Sequence, residues 1–373
     1  MNDMHGLIFA YAGGPHIKEL TEHRTVSSLP FGGRYRAIDF MLSNMINADI
    51  VNVGVIMREN YQSLLDHLGS GKDWDLARKR GGLKLLPPFG YNVTRMQHEG
   101  GVFLGNMAAL AGVNSYLAGI REEYVVMADG DLVANLPLED ALRVHIDSGA
   151  DITLICSPRT VGSPEYAVNV ALGEKNRVSD ISIGRKEPEM FESLNVSILS
   201  SSLLDSLVSY CSAHNAYDFE RDVLQRMPDL DVVAYLFDGY VARLHSTATF
   251  FRCNMDLLRA EVRESIFRKE RPIKTKGRDQ APTYYGPGAC VRNCVVADGC
   301  YIEGEAENSV IFRGVRISEG VRVHNSILMQ NTKVSQGAVL GYAITDKEVV
   351  INRGRMLMGH ETYPIAIAKG SVV

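Results

Sequence analysis

Long apolar segments and clustered positive charge are both missing from this chain of 373 residues. No apolar run approaches the roughly 20 residues that a helix needs to cross a bilayer. The formal net charge is −5 and the longest basic cluster is Arg78-Lys79-Arg80, so the sequence lacks the electrostatic signature of nucleic-acid binding. The N-terminus enters a strand pattern without the basic segment and cleavage site of a signal peptide. We therefore expect a soluble, cytoplasmic protein that binds neither membrane nor nucleic acid.

Cysteine is also scarce. Six cysteines in a chain of this length do not suggest a disulfide framework. Cys290, Cys294 and Cys300 are spaced like no usual zinc site, and we interpret them as small apolar residues inside a fold. With 46% hydrophobic residues, the chain can bury a sizeable core, and its length is typical of two or three domains.

The first 246 residues alternate short apolar runs with amphipathic stretches. The runs at 51–56, 124–127 and 152–156 are typical of buried parallel strands. Helical patterns lie between them at 104–117 and 138–145. This alternation predicts an α/β domain with a doubly wound, Rossmann-like sheet.

The hydrophobic period changes after Pro287. Apolar residues then recur every six positions, as in Ile311, Ile317 and Val323. A four-residue motif that begins with asparagine also repeats, at 293–296, 308–311 and 325–328. Neither a helix nor a hairpin produces a period of six, whereas a parallel β-helix does. A plain β-sandwich is the alternative. We predict a C-terminal left-handed parallel β-helix of hexapeptide repeats.

The predicted domain boundaries follow from these two patterns. Residues 1–246 form the α/β domain, 247–287 a connecting helix and linker, and 288–373 the β-helix. The connecting helix is expected over 247–271, because Pro272 stops it.

The chain resembles a known family through several specific strings. A short apolar strand runs into the glycine turn Gly13-Gly14, and Pro30-Phe31-Gly32-Gly33-Arg34-Tyr35-Arg36 follows. These residues resemble the N-terminus of the bacterial ADP-glucose pyrophosphorylase (glucose-1-phosphate adenylyltransferase) family. The strings at 23–31 and 66–76 are similar to those of its GlgD-type, non-catalytic subunit in glycogen biosynthesis.

The resemblance implies a nucleotidyltransferase domain with a Mg²⁺ site and a nucleotide pocket. Asp131 and Asp218 match the metal-binding aspartates of the family, and Mg²⁺ commonly takes one or two carboxylates. From spacing alone, Asp131 would be a turn or cap residue. Remnants of the nucleotide and substrate pocket are expected at four glycines: Gly13, Gly14, Gly105 and Gly130.

Several positions depart from the catalytic pattern of that family. The glycine loop after Gly14 is two residues short and lacks the arginine that grips the triphosphate. Val26 stands in place of the active-site lysine, and Ala108 in place of an aspartate. The string 243–246 departs from the family's Asp-Val-Gly-Thr, and 185–188 is only the nearest match to its sugar-phosphate string. Losing one preorganised cationic donor costs roughly 10²–10³-fold in rate, so we interpret the catalytic site as degenerate and any Mg²⁺ site as vestigial.

His23, Arg24 and Arg36 match positions of the family's allosteric anion site. We therefore expect these three residues to bind a phosphorylated effector or phosphate, because the arginine fork suits phosphate oxygens. Surface arginines in an inherited loop are the alternative.

Three functions compete on this sequence. The first is a regulatory subunit that pairs with a catalytic ADP-glucose pyrophosphorylase subunit in a heterotetramer, or forms a homo-oligomer when alone. The second is a weakly or fully active glucose-1-phosphate adenylyltransferase. The third is a hexapeptide acyltransferase, for which His324 is the candidate catalytic histidine.

Overall fold

The computed structural model describes residues 3–11, 17–87, 105–184, 187 and 189–373. These residues form an N-terminal α/β domain followed by a C-terminal left-handed parallel β-helix, which confirms the predicted fold class. Among the described helices, none is long and apolar enough to span a membrane.

A nine-stranded sheet forms the core of the α/β domain. At its centre, β1 (Met4–Phe9) pairs in parallel with two strands that follow it in the chain. The other strands of the domain are β2 (Pro30–Phe31), β3 (Tyr35–Arg36), β4 (Asn52–Ile56), β5 (Gly82–Leu86), β6 (Tyr124–Asp129), β7 (Leu132–Val133), β8 (Ile152–Ser157), β9 (Val168–Leu172), β10 (Val178–Ile183), β11 (Phe191–Ser200), β12 (Val232–Leu236) and β13 (Ala242–Arg243). The sheet order is β10-β9-β11-β6-β1-β4-β5, with β8 paired to both β11 and β12. Strands β2 and β3 form a separate hairpin, and β7 pairs with β13.

The sheet is mixed, which differs from the parallel sheet that the sequence predicts. The strands at 52–56 and 124–129 are parallel neighbours of β1, but β11 pairs antiparallel with both β6 and β8. The register of β11 shifts between Ser193 and Ser197, around Asn195 at φ 51°. A buried run does not reveal its direction, because strand direction depends on the connection that precedes the strand.

Helices cover the two faces of the sheet. They are α1 (Lys18–Thr21), α2 (Ala37–Asn47), α3 (Gln62–Leu68), α4 (Asn106–Gly112), α5 (Asn114–Leu117), α6 (Leu138–Ser148) and α7 (Ser201–His214). In the described ranges, short 3₁₀ turns lie at Val26–Ser28, Lys72–Trp74 and Glu174–Asn176, and a π-helix lies at Phe219–Leu224. The helix expected at 104–117 is described from residue 106 and breaks at Val113.

The connecting segment is two helices rather than one. Helix α8 (Thr247–Asp256) begins at Ser246, whose side chain accepts a hydrogen bond from the Thr249 backbone N–H. After a break, α9 (Ala260–Ile266) follows. Within the range predicted as linker, β14 (Tyr284–Tyr285) already pairs with the β-helix.

Three parallel five-stranded sheets make the triangular β-helix. Every third strand belongs to the same sheet, as in the order β14-β17-β20-β23-β26. The strands after β14 are β15 (Cys290–Arg292), β16 (Val295–Val296), β17 (Tyr301–Ile302), β18 (Glu305–Glu307), β19 (Val310–Ile311), β20 (Arg316–Ile317), β21 (Arg322–His324), β22 (Ile327–Leu328), β23 (Lys333–Val334), β24 (Val339–Gly341), β25 (Ala343–Thr345), β26 (Val350–Ile351), β27 (Met356–Met358) and β28 (Ile365–Ile367).

The repeated asparagines stand at one corner of this triangle. Asn293, Asn308 and Asn325 have φ of 46°, 47° and 45°, a left-handed conformation that asparagine tolerates better than most residues. The Asn293 amide also donates to Asn308 Oδ1 at 2.7 Å. The sequence repeat therefore encodes a stacked corner.

An apolar joint connects the two domains. Phe31 and Phe40 from the α/β domain, Phe250 from α8 and Phe312 from the β-helix belong to one buried cluster. Burial of large side chains on both sides stabilises a defined domain arrangement, and polar residues at the edge of this joint are thereby held in place.

Candidate functional site: an acidic cleft and an interdomain cationic cluster

A cavity of about 630 Å³ opens at the carboxyl end of β6. This is the edge at which α/β sheets place their ligand sites. Side chains from strands, helices and loops line it: Tyr11, Thr21, Arg24, Thr25, Val26, Arg58, Glu59, Asn60, Asn106, Asp129, Tyr166, Val168, Ile183, Asn195, Asp218, Glu220 and Arg221. Its volume suits a small polar ligand.

A buried arginine joins the two aspartates that follow β6. Arg243 Nη1 lies 3.3 Å from Asp129 Oδ2 and 3.4 Å from Asp131 Oδ1. Arg243 Nε lies 4.0 Å from Glu192 Oε1, and all four side chains are buried. Although burial acts to lower it, these carboxylates raise the pKa of Arg243. The guanidinium therefore stays charged and neutralises part of the acidic cluster.

Asp129 receives a second donor on the cleft side. Asn195 Nδ2 donates to Asp129 Oδ2 at 2.8 Å, and the left-handed backbone at Asn195 belongs to the irregularity in β11. Burial, followed by the neighbouring Asp131 carboxylate, raises the pKa of Asp129 to about 6. Asp129 is thus the carboxylate of this group that faces the cavity.

The same cavity is lined by another carboxylate pair, Asp218 and Glu220. Asp218 begins the π-helix, and its Oδ1 accepts from the Arg221 backbone N–H at 2.8 Å. Burial, then the charges of Asp218 and Asp129, raise the pKa of Glu220 to about 8. A carboxyl with that pKa is largely protonated at neutral pH and can donate a hydrogen bond.

The predicted pocket glycines are placed as close-approach positions where the structure describes them. Gly105 has φ 113°, and a Cβ there would lie 2.5 Å from the Tyr217 carbonyl oxygen. A Cβ on Gly130 would lie 2.6 Å from Ser27 Oγ. Gly105 thus brings α4 against the segment that carries Asp218. Gly13 and Gly14 lie outside the described residues.

Two positions that depart from the catalytic pattern, Val26 and Ala108, hold buried apolar side chains. Val26 is 4% exposed and packs in the interdomain apolar cluster, while also touching the cavity. Ala108 is buried. The string at 185–188 is largely outside the described residues. His324 lies on the β-helix, 3.5 Å from Glu307.

The predicted Mg²⁺ ligands do not fit a divalent cation in this arrangement. Asp131 faces the Arg243 guanidinium, and Asp218 caps a helix on the wall of the cavity. A cation between Asp129 and Asp131 would adjoin another full positive charge. In the described part of the chain, no group of three or more His, Cys, Asp or Glu side chains is arranged to hold a metal ion.

A second polar site lies between the domains, where Arg24 meets the β-helix. Arg24 is 4% exposed, and its Nη2 lies 2.5 Å from Asp346 Oδ2. Asp346 Oδ1 accepts from the Lys347 backbone N–H at 2.7 Å. Arg24 Nη1 is buried and has no hydrogen-bond partner among the described residues. A buried guanidinium with an unused donor can receive an oxyanion.

Two more cations converge on the same place. Arg36 Nη1 donates to the Ser63 carbonyl at 2.5 Å, and burial, with the nearby Arg24 charge also acting to lower it, brings the pKa of Arg36 to about 10. Burial, then the charges of Arg36 and Arg24, lower the pKa of Lys347 to about 7. We call Arg24, Arg36 and Lys347 the cationic cluster. His23, the third residue predicted here, is exposed.

The glycines beside this cluster serve the domain contact. The Gly32 N–H donates to Asn254 Oδ1 at 3.0 Å, and a Cβ on Gly32 would lie 2.9 Å from Leu257 Cδ1. Gly33 lies beside Ala297 of the β-helix and has φ 84°, a conformation that favours glycine. Both glycines lie where the β2–β3 hairpin meets α8 and the β-helix.

Sequence reasoning missed several residues of these sites. In the acidic cleft it did not single out Asp129, Asn195, Glu192 or Glu220, and it noted Arg243 only as a departure from a pattern. In the cationic cluster it did not note Asp346 or Lys347. The available sequence signal for Asp346 and Lys347 was an acidic residue next to a basic one at a corner of the β-helix. Only the fold brings them to Arg24, which is 322 residues away in the chain.

Comparison with known proteins supports both domains. Residues 6–231 match the nucleotidyl transferase family, and residues 285–362 match the GlmU-like, C-terminal hexapeptide family. The chain is similar to the Glycogen biosynthesis protein GlgD of Bacillus subtilis (strain 168), with 32% identity over 374 aligned residues that cover 100% of this chain and 97% of the relative. The GlgD of Geobacillus stearothermophilus is 35% identical over 322 residues, covering 86% and 83%. A glucose-1-phosphate adenylyltransferase of Bacillus cereus (strain Q1) is 28% identical over 362 residues, covering 94% and 93%.

Proposed function

The chain belongs to the nucleotidyl transferase family, within the group that contains the GlgD glycogen biosynthesis proteins, and on this basis we propose that it is a regulatory, catalytically silent subunit in glycogen biosynthesis. Its partner would be a catalytic glucose-1-phosphate adenylyltransferase, which converts ATP and glucose-1-phosphate to ADP-glucose and pyrophosphate.

The main support for a catalytically silent chain is the side chain of Val26, which lines the cavity. It is apolar and buried in the interdomain cluster, at the position where the resemblance leads us to expect a lysine. Phosphoryl and nucleotidyl transfer depend on cations that stabilise developing phosphate charge. Removing one such donor costs roughly 10²–10³-fold in rate, and a valine cannot supply it.

The cationic cluster supports the regulatory part of the proposal. Arg24 and Arg36 come from the α/β domain and Lys347 from the β-helix, so an anion bound among them would contact both domains. Such an anion favours the domain arrangement that brings the three charges together. An effector acts only through different affinities for two states. A site shared by two domains meets that condition when its three charges lie farther apart in the second state.

An active adenylyltransferase is the second candidate, because the cavity remains large and acidic. Its volume of about 630 Å³ and the carboxylates of Asp129 and Asp218 would accommodate part of a nucleotide sugar or its precursors. We rank it second because the apolar Val26 lies where a cation is required.

The test is an assay of the purified chain with ATP, Mg²⁺ and glucose-1-phosphate, with and without a catalytic adenylyltransferase subunit. We expect trace turnover alone and a changed rate or effector response of the partner in the mixture. A turnover near the enzyme median of roughly 10 s⁻¹ without a partner would refute the silent role. A mixture that behaves as the catalytic subunit alone would refute the modulating role.

The effector site is tested separately with the double variant Arg24→Ala/Arg36→Ala. We expect it to assemble with the partner but to shift or lose the response to phosphate or a phosphorylated sugar. The matched control, Lys84→Ala, removes one exposed cation from β5 and should leave the response unchanged. An unaltered effector curve in the assembled double variant would return both arginines to a structural role.

A further inference from the structure

The guanidinium of Arg243 is a buried charge beside Asp129 of the cleft. Strand β13 places it there, because Arg243 pairs with Leu132 in the antiparallel β7–β13 ladder. The Arg243 backbone N–H donates to the Val161 carbonyl at 3.0 Å, and the Leu244 N–H to the Asp131 carbonyl at 3.4 Å. Hydrogen bonds to two neighbouring segments therefore fix the backbone from which the Arg243 side chain extends.

Three carboxylates surround this one cation. Asp129, Asp131 and Glu192 are 5%, 5% and 0% exposed, and isolated carboxylates at such depth would be strongly disfavoured. Arg243 contacts them at 3.3, 3.4 and 4.0 Å. Its Nη2 is buried without a hydrogen-bond partner within the described ranges, so the guanidinium is not saturated by the three acids.

A divalent metal ion would have to share this position. Mg²⁺ and Mn²⁺ bind carboxylate oxygens at about 2.0–2.2 Å and keep several waters, and Asp129 and Asp131 are the carboxylates that Arg243 Nη1 bridges. Two cations at contact distance repel each other strongly in a buried site.

We propose that Arg243 is a built-in cation that replaces a divalent metal ion in the cleft. The native chain then holds no divalent cation between Asp129 and Asp131, and removing the guanidinium creates a site for one. The neutralisation of the acidic cluster is independent of the regulatory role, because metal binding rather than turnover reports on it.

The test is titration of the full-length chain with Mn²⁺, followed by the loss of the free-ion electron paramagnetic resonance signal. We expect the native protein and its Asp131→Asn variant to give the same weak binding. Arg243→Ala should bind one Mn²⁺ at least about tenfold more tightly than the native chain. Arg243→Ala/Asp131→Asn should lose that gain. Arg243→Lys, which keeps the charge, is the matched control and should resemble the native chain.

Folding of the variants is followed in parallel by thermal melting with and without Mn²⁺. If Arg243→Ala is unfolded in the absence of metal, we expect Mn²⁺ to restore its melting transition, because binding to the folded state stabilises it. The proposal is overturned if native binding depends on Asp131, or if folded Arg243→Ala gains no affinity. It is also overturned if Arg243→Ala stays unfolded with Mn²⁺ while Arg243→Lys folds.

Discussion

Anion binding at the cationic cluster should depend on pH through Lys347. Burial and the charges of Arg36 and Arg24 lower the pKa of Lys347 to about 7. A bound dianion would favour the charged lysine and raise that pKa again. Binding therefore takes up a proton, and the affinity should rise as the pH falls.

The magnitude follows from the fraction of Lys347 that is charged. With a pKa of about 7, that fraction falls from about nine-tenths near pH 6 to about one-tenth near pH 8. If the anion binds the charged form, its affinity falls about tenfold over this interval. Without an anion, the stability of the folded chain changes with pH in the opposite direction to the anion affinity. The stability that neutral Lys347 contributes to the folded state is present above the unfolded pKa of 10.5 and is lost as the pH falls through about 7.

Sulfate is the suitable probe, because it stays a dianion over this range whereas phosphate itself titrates. Isothermal titration calorimetry at several pH values would give the dependence. Lys347→Gln should bind sulfate weakly and with a flat profile, and His23→Gln should keep the native profile, which removes the adjacent histidine as the cause. A native affinity that is constant between about pH 6 and about pH 8 would refute the reasoning.

Three further perturbations test other parts of the structure. Asp346→Asn leaves buried Arg24 without its charge partner, so we expect a loss of about 3 kcal/mol in the free energy of unfolding by urea denaturation, partly restored by sulfate; a loss within error would contradict the role of this pair. Glu220→Gln removes a carboxyl whose pKa is raised to about 8. The stability that the protonated Glu220 gives the native chain is present below pH 4.5 and is lost as the pH rises through about 8. The variant should therefore exceed the native chain in free energy of unfolding at pH 9, by on the order of 1–2 kcal/mol, and should equal it at low pH. Asn325→Val forces a β-branched residue to φ 45° and should cost about 1–3 kcal/mol in thermal or urea unfolding, whereas Asn325→Gly should be tolerated.

Periodicity gave a sound prediction of the C-terminal domain. Ile311, Ile317 and Val323 recur every six residues and are fully buried in the β-helix. The repeated asparagines mark left-handed corners. Each coil depends mainly on its immediate neighbours, so local repetition carries most of the information.

The mixed character of the α/β sheet was not predictable in the same way. Strand β11 is nearly continuously buried, and such a run fits either direction in a sheet. Its antiparallel pairing with β6 and β8 depends on connections and on the irregularity at Asn195.

The sequence by itself determined which residues can carry charge, and the resemblance led us to expect an anion site at Arg24 and Arg36. Only the tertiary structure joined Lys347 to them, and only it set Arg243 between Asp129 and Asp131. The partners of these ion pairs are 322 and 112 residues apart, for Arg24–Asp346 and Arg243–Asp131. A local pattern reports propensity and periodicity, whereas the strength of an ion pair depends on the distance and burial that the complete fold imposes.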